Sequence, residues 1–319
     1  MKNAKEVIER AVAVLSKRNA RLKFSEWAKE AGVTKKELDA AIPLIRKERQ
    51  DLAFGKYDKT YWFANRPTWY SEHTDLSQEM PLKGKFGFVT DIHLCSVAER
   101  QDVLNDAYDD FERQGITHVF CTGDVSDGWF EYNGHINFVH CHGDQDQAAY
   151  VIKHFPKRKG ITTYMIGGNH DDSYRKTKVD RLSLVVNGFH HKGRNYKGRD
   201  DIKYLGQYSH YLILPQEITV HLLHPRGGAA YAISYKQQKR SEEMNRNSRP
   251  NIQLSGHYHV FSYIWLDGTH FVAGVGMQDE TEFFKRLGFG RSIGYITCSY
   301  EIEKGEIKHF SVSPRFYPD

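Results

Sequence analysis

Five short stretches of this chain carry side chains that bind cations or move protons. In order they are Asp91-Ile92-His93, Gly123-Asp124, Gly168-Asn169-His170-Asp171, His224 followed by Pro225, and Gly256-His257-Tyr258-His259. Together they offer carboxylate oxygens, one amide oxygen and several imidazole nitrogens. That inventory suits two divalent cations sharing one bridging carboxylate. The donors are oxygen and nitrogen without thiolate, so Mn²⁺, Fe or Zn²⁺ are all admissible, and Mn²⁺ is favoured. His170 adds a titratable nitrogen, and Asp171 or another nearby acid can orient its ring.

Such groups work only if the chain brings them to one place. Each stretch directly follows an apolar run that reads as a buried strand: Phe86 to Thr90, Ile116 to Thr122, Ile161 to Ile166, Ile218 to Leu223 and Ile252 to Ser255. Ligands of open α/β sheets gather at the carboxyl ends of strands. Between the first strands lie a helix from Val97 to Gln114 and another near Gln147 to Phe155. The first has Val103, Leu104, Ala107, Tyr108 and Phe111 on one face. This alternation implies a largely parallel sheet covered by helices. After about Tyr204 the texture is mostly strands, at 208–214, 261–266, 270–273, 293–300 and 307–312, with a polar, basic helix or exposed loop over 236–250. His221 and His224 compete for the fourth position. His224 sits at the strand end and is better placed, whereas His221 reads as a residue on the strand face.

The order Asp-x-His, Gly-Asp, Gly-Asn-His-Asp, His, Gly-His-x-His resembles the calcineurin-like metallophosphoesterase superfamily over roughly residues 85–275. The resemblance implies an α/β fold, a four-layer sandwich of two mixed β-sheets flanked by helices. Carried over by residue, it implies that Asp91, His93 and His259 hold one metal and that Asn169, His224 and His257 hold the other. Asp124 would bridge them. It implies that His170 is the catalytic histidine rather than a ligand, with Asp127, three residues after the bridging aspartate, as its orienting acid. Two cations about 3.5–4 Å apart clamp a phosphoryl group and make a nucleophile of water, while a protonated imidazole serves the leaving oxygen. In the protein-phosphatase branch an arginine follows the second aspartate of the Gly-Asp motif. Gly128 stands there instead, which argues against a Ser/Thr protein phosphatase. Arg226 and His142 are candidates for substrate binding. Arg286 and Arg291 are further candidates for phosphate contact, and His135 and His140 lie in the same polar insertion as His142.

The remaining chemistry is one of charge. The 319 residues carry a net charge of +5. Residues 1–70 contain 16 Lys+Arg and 9 Asp+Glu, and the rest contain 29 and 31. The basic excess therefore sits in the first 70 residues. Those residues read as helices at 4–18, with Ile8, Val12 and Leu15 on one face, and at about 25–31, capped by Ser25 and ended by Gly32. A third helix opens with the capping box Thr34–Glu37, buries Leu38, Ala41 and Ile45, and is expected to break at Pro43. A hairpin over 52–63 follows. The pattern resembles a winged helix-turn-helix domain. The expected organisation is residues 1–70 as that domain, 71–84 as a linker and 85–319 as the metallophosphoesterase domain.

A basic domain joined to a hydrolytic core implies a nucleic-acid partner. Use of residues 1–70 for protein docking, or to form a homo-oligomer, is the alternative. No run approaches the roughly 20 apolar residues needed to span a membrane, so no membrane partner is expected. Without an export signal, Cys95, Cys121, Cys141 and Cys298 read as reduced thiols of a cytoplasmic protein. The expected activity is that of a dinuclear-metal phosphodiesterase or nuclease. The rivals are a phosphomonoesterase or small-nucleotide phosphodiesterase, and a DNA-binding regulator with a vestigial core.

Overall fold

The computed structural model describes residues 4–16, 21–48, 52–57, 60–65, 73–172, 179–228, 230, 232–244, 249–287 and 291–318. The chain divides into two compact units, Met1–Glu72 and His73–Asp319.

The first unit contains α1 (Ala4–Ser16), β1 (Arg21–Lys23), α2 (Phe24–Ala31), α3 (Lys35–Glu48), β2 (Leu52–Tyr57) and β3 (Thr60–Asn65). Its three strands form an antiparallel sheet in the order β1-β3-β2. Helical spacing brings Val7, Ile8, Ala11 and Val12 of α1 against Trp27 of α2 and Leu38, Ala41 and Ile45 of α3. Trp27 is fully buried, and its indole N–H donates to the Ala11 carbonyl at 3.0 Å. The Leu15 side chain lies outside the described residues.

Two local expectations for this unit fail. Helix α2 begins at Phe24, one residue before Ser25, and Glu26 accepts from the Lys23 N–H at 3.0 Å in place of a serine cap. Helix α3 runs through Pro43 without breaking. The proline faces outward while Ile42 and Ile45 on either side are buried, so packing outweighs one missing backbone hydrogen bond. The Thr34–Glu37 capping box does form: Thr34 Oγ1 accepts from Glu37 N, and Glu37 accepts from Thr34 N.

The second unit runs β4 (His73–Asp75), β5 (Lys83–Val89), α4 (Gln101–Arg113), β6 (His118–Cys121), α5 (Asp144–His154), β7 (Thr162–Gly167), α6 (Arg181–Asn187), β8 (Gly188–His191), β9 (Arg194–Lys197), β10 (Ile202–Gln207), β11 (Ser209–Ile213), β12 (Thr219–Leu223), α7 (Tyr235–Glu243), β13 (Ile252–Ser255), β14 (Ser262–Leu266), β15 (Thr269–Ala273), α8 (Glu282–Leu287), β16 (Ile293–Glu303) and β17 (Glu306–Tyr317). Two six-stranded mixed sheets result, ordered β10-β7-β6-β5-β16-β17 and β14-β15-β13-β12-β11-β4. Strands β8 and β9 form a separate hairpin.

The sheets face each other across an apolar layer. Phe86, Phe88 and Phe120 come from one sheet, and Leu212, Val220 and Leu254 from the other. The opposite face of the first sheet packs on α4, α5 and α6 through Val103, Phe111, Val151 and Leu182. The opposite face of the second sheet meets α7, where Gln237 bonds Ser262. Burial on both faces explains why β6 is apolar throughout with no alternation.

From residue 73 onward the stretch expected as a linker, 71–84, packs onto the second unit. His73–Asp75 pair with β11 as an edge strand, and Leu76 and Met80 lie in the core between the sheets. No helix among the described residues is long and apolar enough to cross a membrane.

Candidate metal centre and active site

Strands β5, β6 and β7 are parallel neighbours in one sheet, and β12 and β13 are parallel neighbours in the other. All five chemical stretches leave the carboxyl ends of these strands. The loops after β5 and β6 are then locked to each other. Asp91 N donates to Gly123 O, His93 N to Asp124 O, and Asp127 N to Leu94 O, at 2.9–3.0 Å. This lattice holds Asp91, His93, Asp124, His257 and His259 at φ between 50° and 82°, where non-glycine residues are rare. Strain of that kind persists only where the surroundings over-determine it, and it concentrates at functional sites. Gly168 has a different task. A Cβ there would run into Asp124 Oδ1 and the ring of His224, so only glycine lets the two strand ends approach.

The seven expected ligands come together. Asp91, His93 and His259 form one group of closely spaced donor atoms, and Asp124, His224 and His257 form another. Asp124 reaches both groups: its Oδ2 is 3.9 Å from His93 Nε2 and 3.2 Å from His224 Nε2. Asn169 Oδ1 lies 3.0 Å from His224 Nε2. The Asp91 carboxylate is pinned by the His257 N–H, at 2.9 Å from each oxygen, and by the Thr90 hydroxyl.

Backbone partners set the ring tautomers. His224 Nδ1–H donates to the Thr122 carbonyl at 2.7 Å, which aims Nε2 at two oxygens, those of Asp124 and Asn169. His257 Nε2–H donates to the Gly227 carbonyl at 2.9 Å and leaves Nδ1 as acceptor. His93 Nδ1–H donates to Asp127 Oδ1 at 2.8 Å, so its Nε2 lone pair faces His259 Nε2 at 3.2 Å. His259 Nδ1 is buried with no hydrogen-bond partner. Imidazole nitrogens, carboxylate oxygens and one amide oxygen thus converge on one region, a donor set that suits divalent cations. The residues fit a pair of divalent cations.

The titration shifts carry the same signature. Burial raises the Asp91 carboxyl to about 6, against the pull of His224. Burial also opposes ionisation of Asp124, but His224, His170 and His93 overcome it and hold this acid well below the usual range. For His224, burial is outweighed by Asp124, and the imidazole rises to about 9. Burial and the neighbouring His224 depress His257 to about 4. Burial, with His93 beside it, drives His259 well below its ordinary value.

His170 occupies a separate position. Its Nδ1 lies 2.6 Å from the Asp127 carbonyl and 3.2 Å from Asp127 Oδ1, while its backbone N–H donates to Asp124 Oδ1. That leaves Nε2 for a substrate. Burial disfavours its charge, but Asp124 and then Asp127 raise it to about 10. Asp171 does not orient this ring. It is fully buried and accepts from Gly168 N, Val125 N, Ser126 N and Ser126 Oγ, so it cinches the turn.

His221 faces away from the centre. Its ring stacks on Tyr211 at 4.3 Å, with Ser209 and Gln253 as partners. Arg226 lies two residues after His224 on the loop that follows β12. It is half exposed, lies over the Tyr208 ring at 4.2 Å and is 3.7 Å from Asp172. His142 is not brought to the cluster. It sits on the surface of the insertion, bonded to the Ile136 carbonyl. Arg291 is nearly buried and paired with Glu280, and the Arg286 side chain lies outside the described residues. Sequence reasoning missed the role of Arg181. This buried guanidinium ties Ser126, the His170 carbonyl and Asp144 together. It also missed His135 as a partner of Asp127, at 3.2 Å. Neither has a spacing signal, since only tertiary folding brings them to the strand ends.

Solved structures resemble the chain at low identity. An archaeal phosphodiesterase is 12% identical, with a TM-score of 0.40 over 73% of this chain and 100% of its own. The phosphoesterase Yfce from E. coli is 14% identical, with a TM-score of 0.37 over 72% and 98%. Vps29 from Entamoeba histolytica, solved with zinc, is 11% identical, with a TM-score of 0.33 over 72% and 99%. No curated protein matches the chain. The family model for calcineurin-like phosphoesterases matches residues 84–261, the span that holds all seven donors, and the chain belongs to that family.

Proposed function

We propose that the protein is a nuclease, a phosphodiesterase that hydrolyses DNA or RNA with two divalent metals, Mn²⁺ being favoured. The observation that carries the hydrolytic part is the gathering of six donors around Asp124, with His170 held beside them by Asp127. Asp91, His93 and His259 would hold one cation, and Asn169, His224 and His257 the other, with Asp124 between. Bound there, the pair supplies charge stabilisation for a phosphoryl group and acidifies water. The chain's own residues do the rest. Asp127 keeps the proton of His170 on Nδ1 and its ring aimed inward. His170 then protonates the leaving oxygen from Nε2. Arg226, stiffened by Tyr208 and Asp172, would meet a phosphate of the substrate.

The polymeric substrate is supported by the excess of basic residues in positions 1–70. We read that unit as a winged-helix-like module that contacts nucleic acid. Gly128 supports a substrate other than a phosphoprotein, because the position that would carry an arginine has φ +69° and no room beside the His170 carbonyl. The test is cleavage of single-stranded and duplex DNA and of RNA by protein loaded with Mn²⁺, run beside a cyclic nucleotide and a mononucleotide. Faster turnover of the oligonucleotides, lost in His170→Ala with metal retained, supports the proposal. Turnover of the small nucleotides alone overturns the nuclease reading.

A further inference from the structure

Asp127 stands among three imidazoles in the active site. It is 2% exposed, and three imidazoles share its two oxygens. His93 Nδ1 lies 2.8 Å from Oδ1 and His170 Nδ1 lies 3.2 Å from the same oxygen. Oδ2 has a different partner, His135 Nε2 at 3.2 Å. His135 comes from the insertion between β6 and α5, and it is 1% exposed. Gly134, at φ +83°, turns the chain to deliver it. Its ring is held on two sides, stacked on Tyr132 at 4.4 Å and edge-on to His170 at 5.4 Å. Its tautomer is also fixed. Nδ1 accepts the Glu131 N–H at 3.2 Å, so the ring proton resides on Nε2 and points at Asp127.

We infer that His135 is a positioning residue for the reaction. It anchors Oδ2 of Asp127 so that Oδ1 stays committed to His93 and His170 at once. A carboxylate held by one oxygen alone can swing about its terminal torsion, a broad and weakly restrained rotation. Without His135, Oδ2 is a buried acceptor lacking its donor, and rotation toward other donors releases Oδ1. The insertion therefore acts through the proton donor, and burial keeps His135 itself away from substrate. The inference rests on the reading of His170 as that donor.

The experiment uses the full chain loaded with Mn²⁺ and two esters of one nucleotide. One leaving group is a nitrophenolate, which departs without a proton, and the other is a sugar alkoxide, which needs one. His135→Phe keeps the stack on Tyr132 and removes the donor. The expected result, at Mn²⁺ concentrations that saturate wild type and variant alike, is a kcat about 10- to 100-fold lower on the alkoxide ester with KM unchanged. The nitrophenyl ester should lose less than about threefold, and His135→Gln, which can still donate, should recover most of the difference. A merely structural residue would lower both esters alike, and that outcome overturns the inference.

A second readout is independent of turnover. In ¹⁵N-histidine-labelled Zn²⁺-loaded protein, the His170 ring N–H, assigned with His170→Ala, should exchange faster with water in His135→Phe. An unchanged signal overturns the inference even if neither ester is cleaved, a result that would instead refute the proposed activity. His135→Leu replaces the phenylalanine variant should that chain not fold.

Discussion

The two units of this chain obey opposite rules. In residues 4–48 most local signals agree with the elements they form, Ser25 and Pro43 excepted: apolar positions recur at helical spacing, a capping box opens α3, and Gly32 closes α2 at φ 63°. At the strand ends of the second unit, local preference is violated repeatedly. Five site residues take left-handed backbone angles, and the carboxylates of Asp91, Asp124, Asp127 and Asp171 are all buried. The first pattern is that of a segment whose task is to fold. The second is that of a site, where local backbone preference gives way to the placement of chemical groups. Substitutions should separate the two.

The largest effect should come from Asp124, the one side chain that reaches both donor groups. Asp124→Asn keeps its shape and removes its charge. Hydrolysis should fall on the order of 10³-fold or more, since several kcal/mol of charge stabilisation is lost. Elemental analysis should show fewer metals per chain. His170→Ala should follow, with kcat reduced by about 10²- to 10⁴-fold and two metals still bound. Loss of metal in that variant would mean that His170 is a ligand.

In the first unit, Trp27→Ala empties a fully buried site. It should destabilise that unit by about 3–5 kcal/mol, read by denaturant unfolding. Hydrolysis of a small nitrophenyl ester should stay at the wild-type rate. A matching loss of that activity would erase the contrast drawn between the units.

At neutral pH the smallest effect concerns His221, buried on the outer face of the second sheet. Burial, with Arg240 nearby, depresses its pKa to about 3. The fold therefore holds it neutral, whereas the unfolded chain takes up a proton below about 6.5. Its contribution is complete above that pH and declines as pH falls toward 3, by up to about 1.4 kcal/mol per unit. The stability difference between wild type and His221→Phe should narrow across that window. A constant difference from pH 7 to 4 would contradict the shift.

Much of the second unit is legible in the sequence because buried strands are short apolar runs and each is followed by polar, glycine-bearing chemistry. That is why Asp91, Asp124, Asn169 and His257 stand out by their place in the chain alone. What escapes is set by tertiary contact. Strand β4 is three residues long and acquires its pairing only from β11, so a linker is the natural reading of residues 71–84. The hairpin at 188–197 and the seven-residue α6 are too short and polar to show a period. His142 and His135 are seven residues apart in one insertion, and nothing in their spacing tells which one turns inward. Pro43 shows the converse, where a strong local signal loses to packing.

The central claim is that seven side chains form one two-metal centre bridged by Asp124. The direct measurement is low-temperature electron paramagnetic resonance of protein titrated with Mn²⁺. The account predicts an exchange-coupled signal that saturates at two Mn²⁺ per chain in the wild type and collapses to an uncoupled signal in Asp124→Asn. A wild-type signal that remains uncoupled at saturation, or that saturates at one ion per chain, would contradict it.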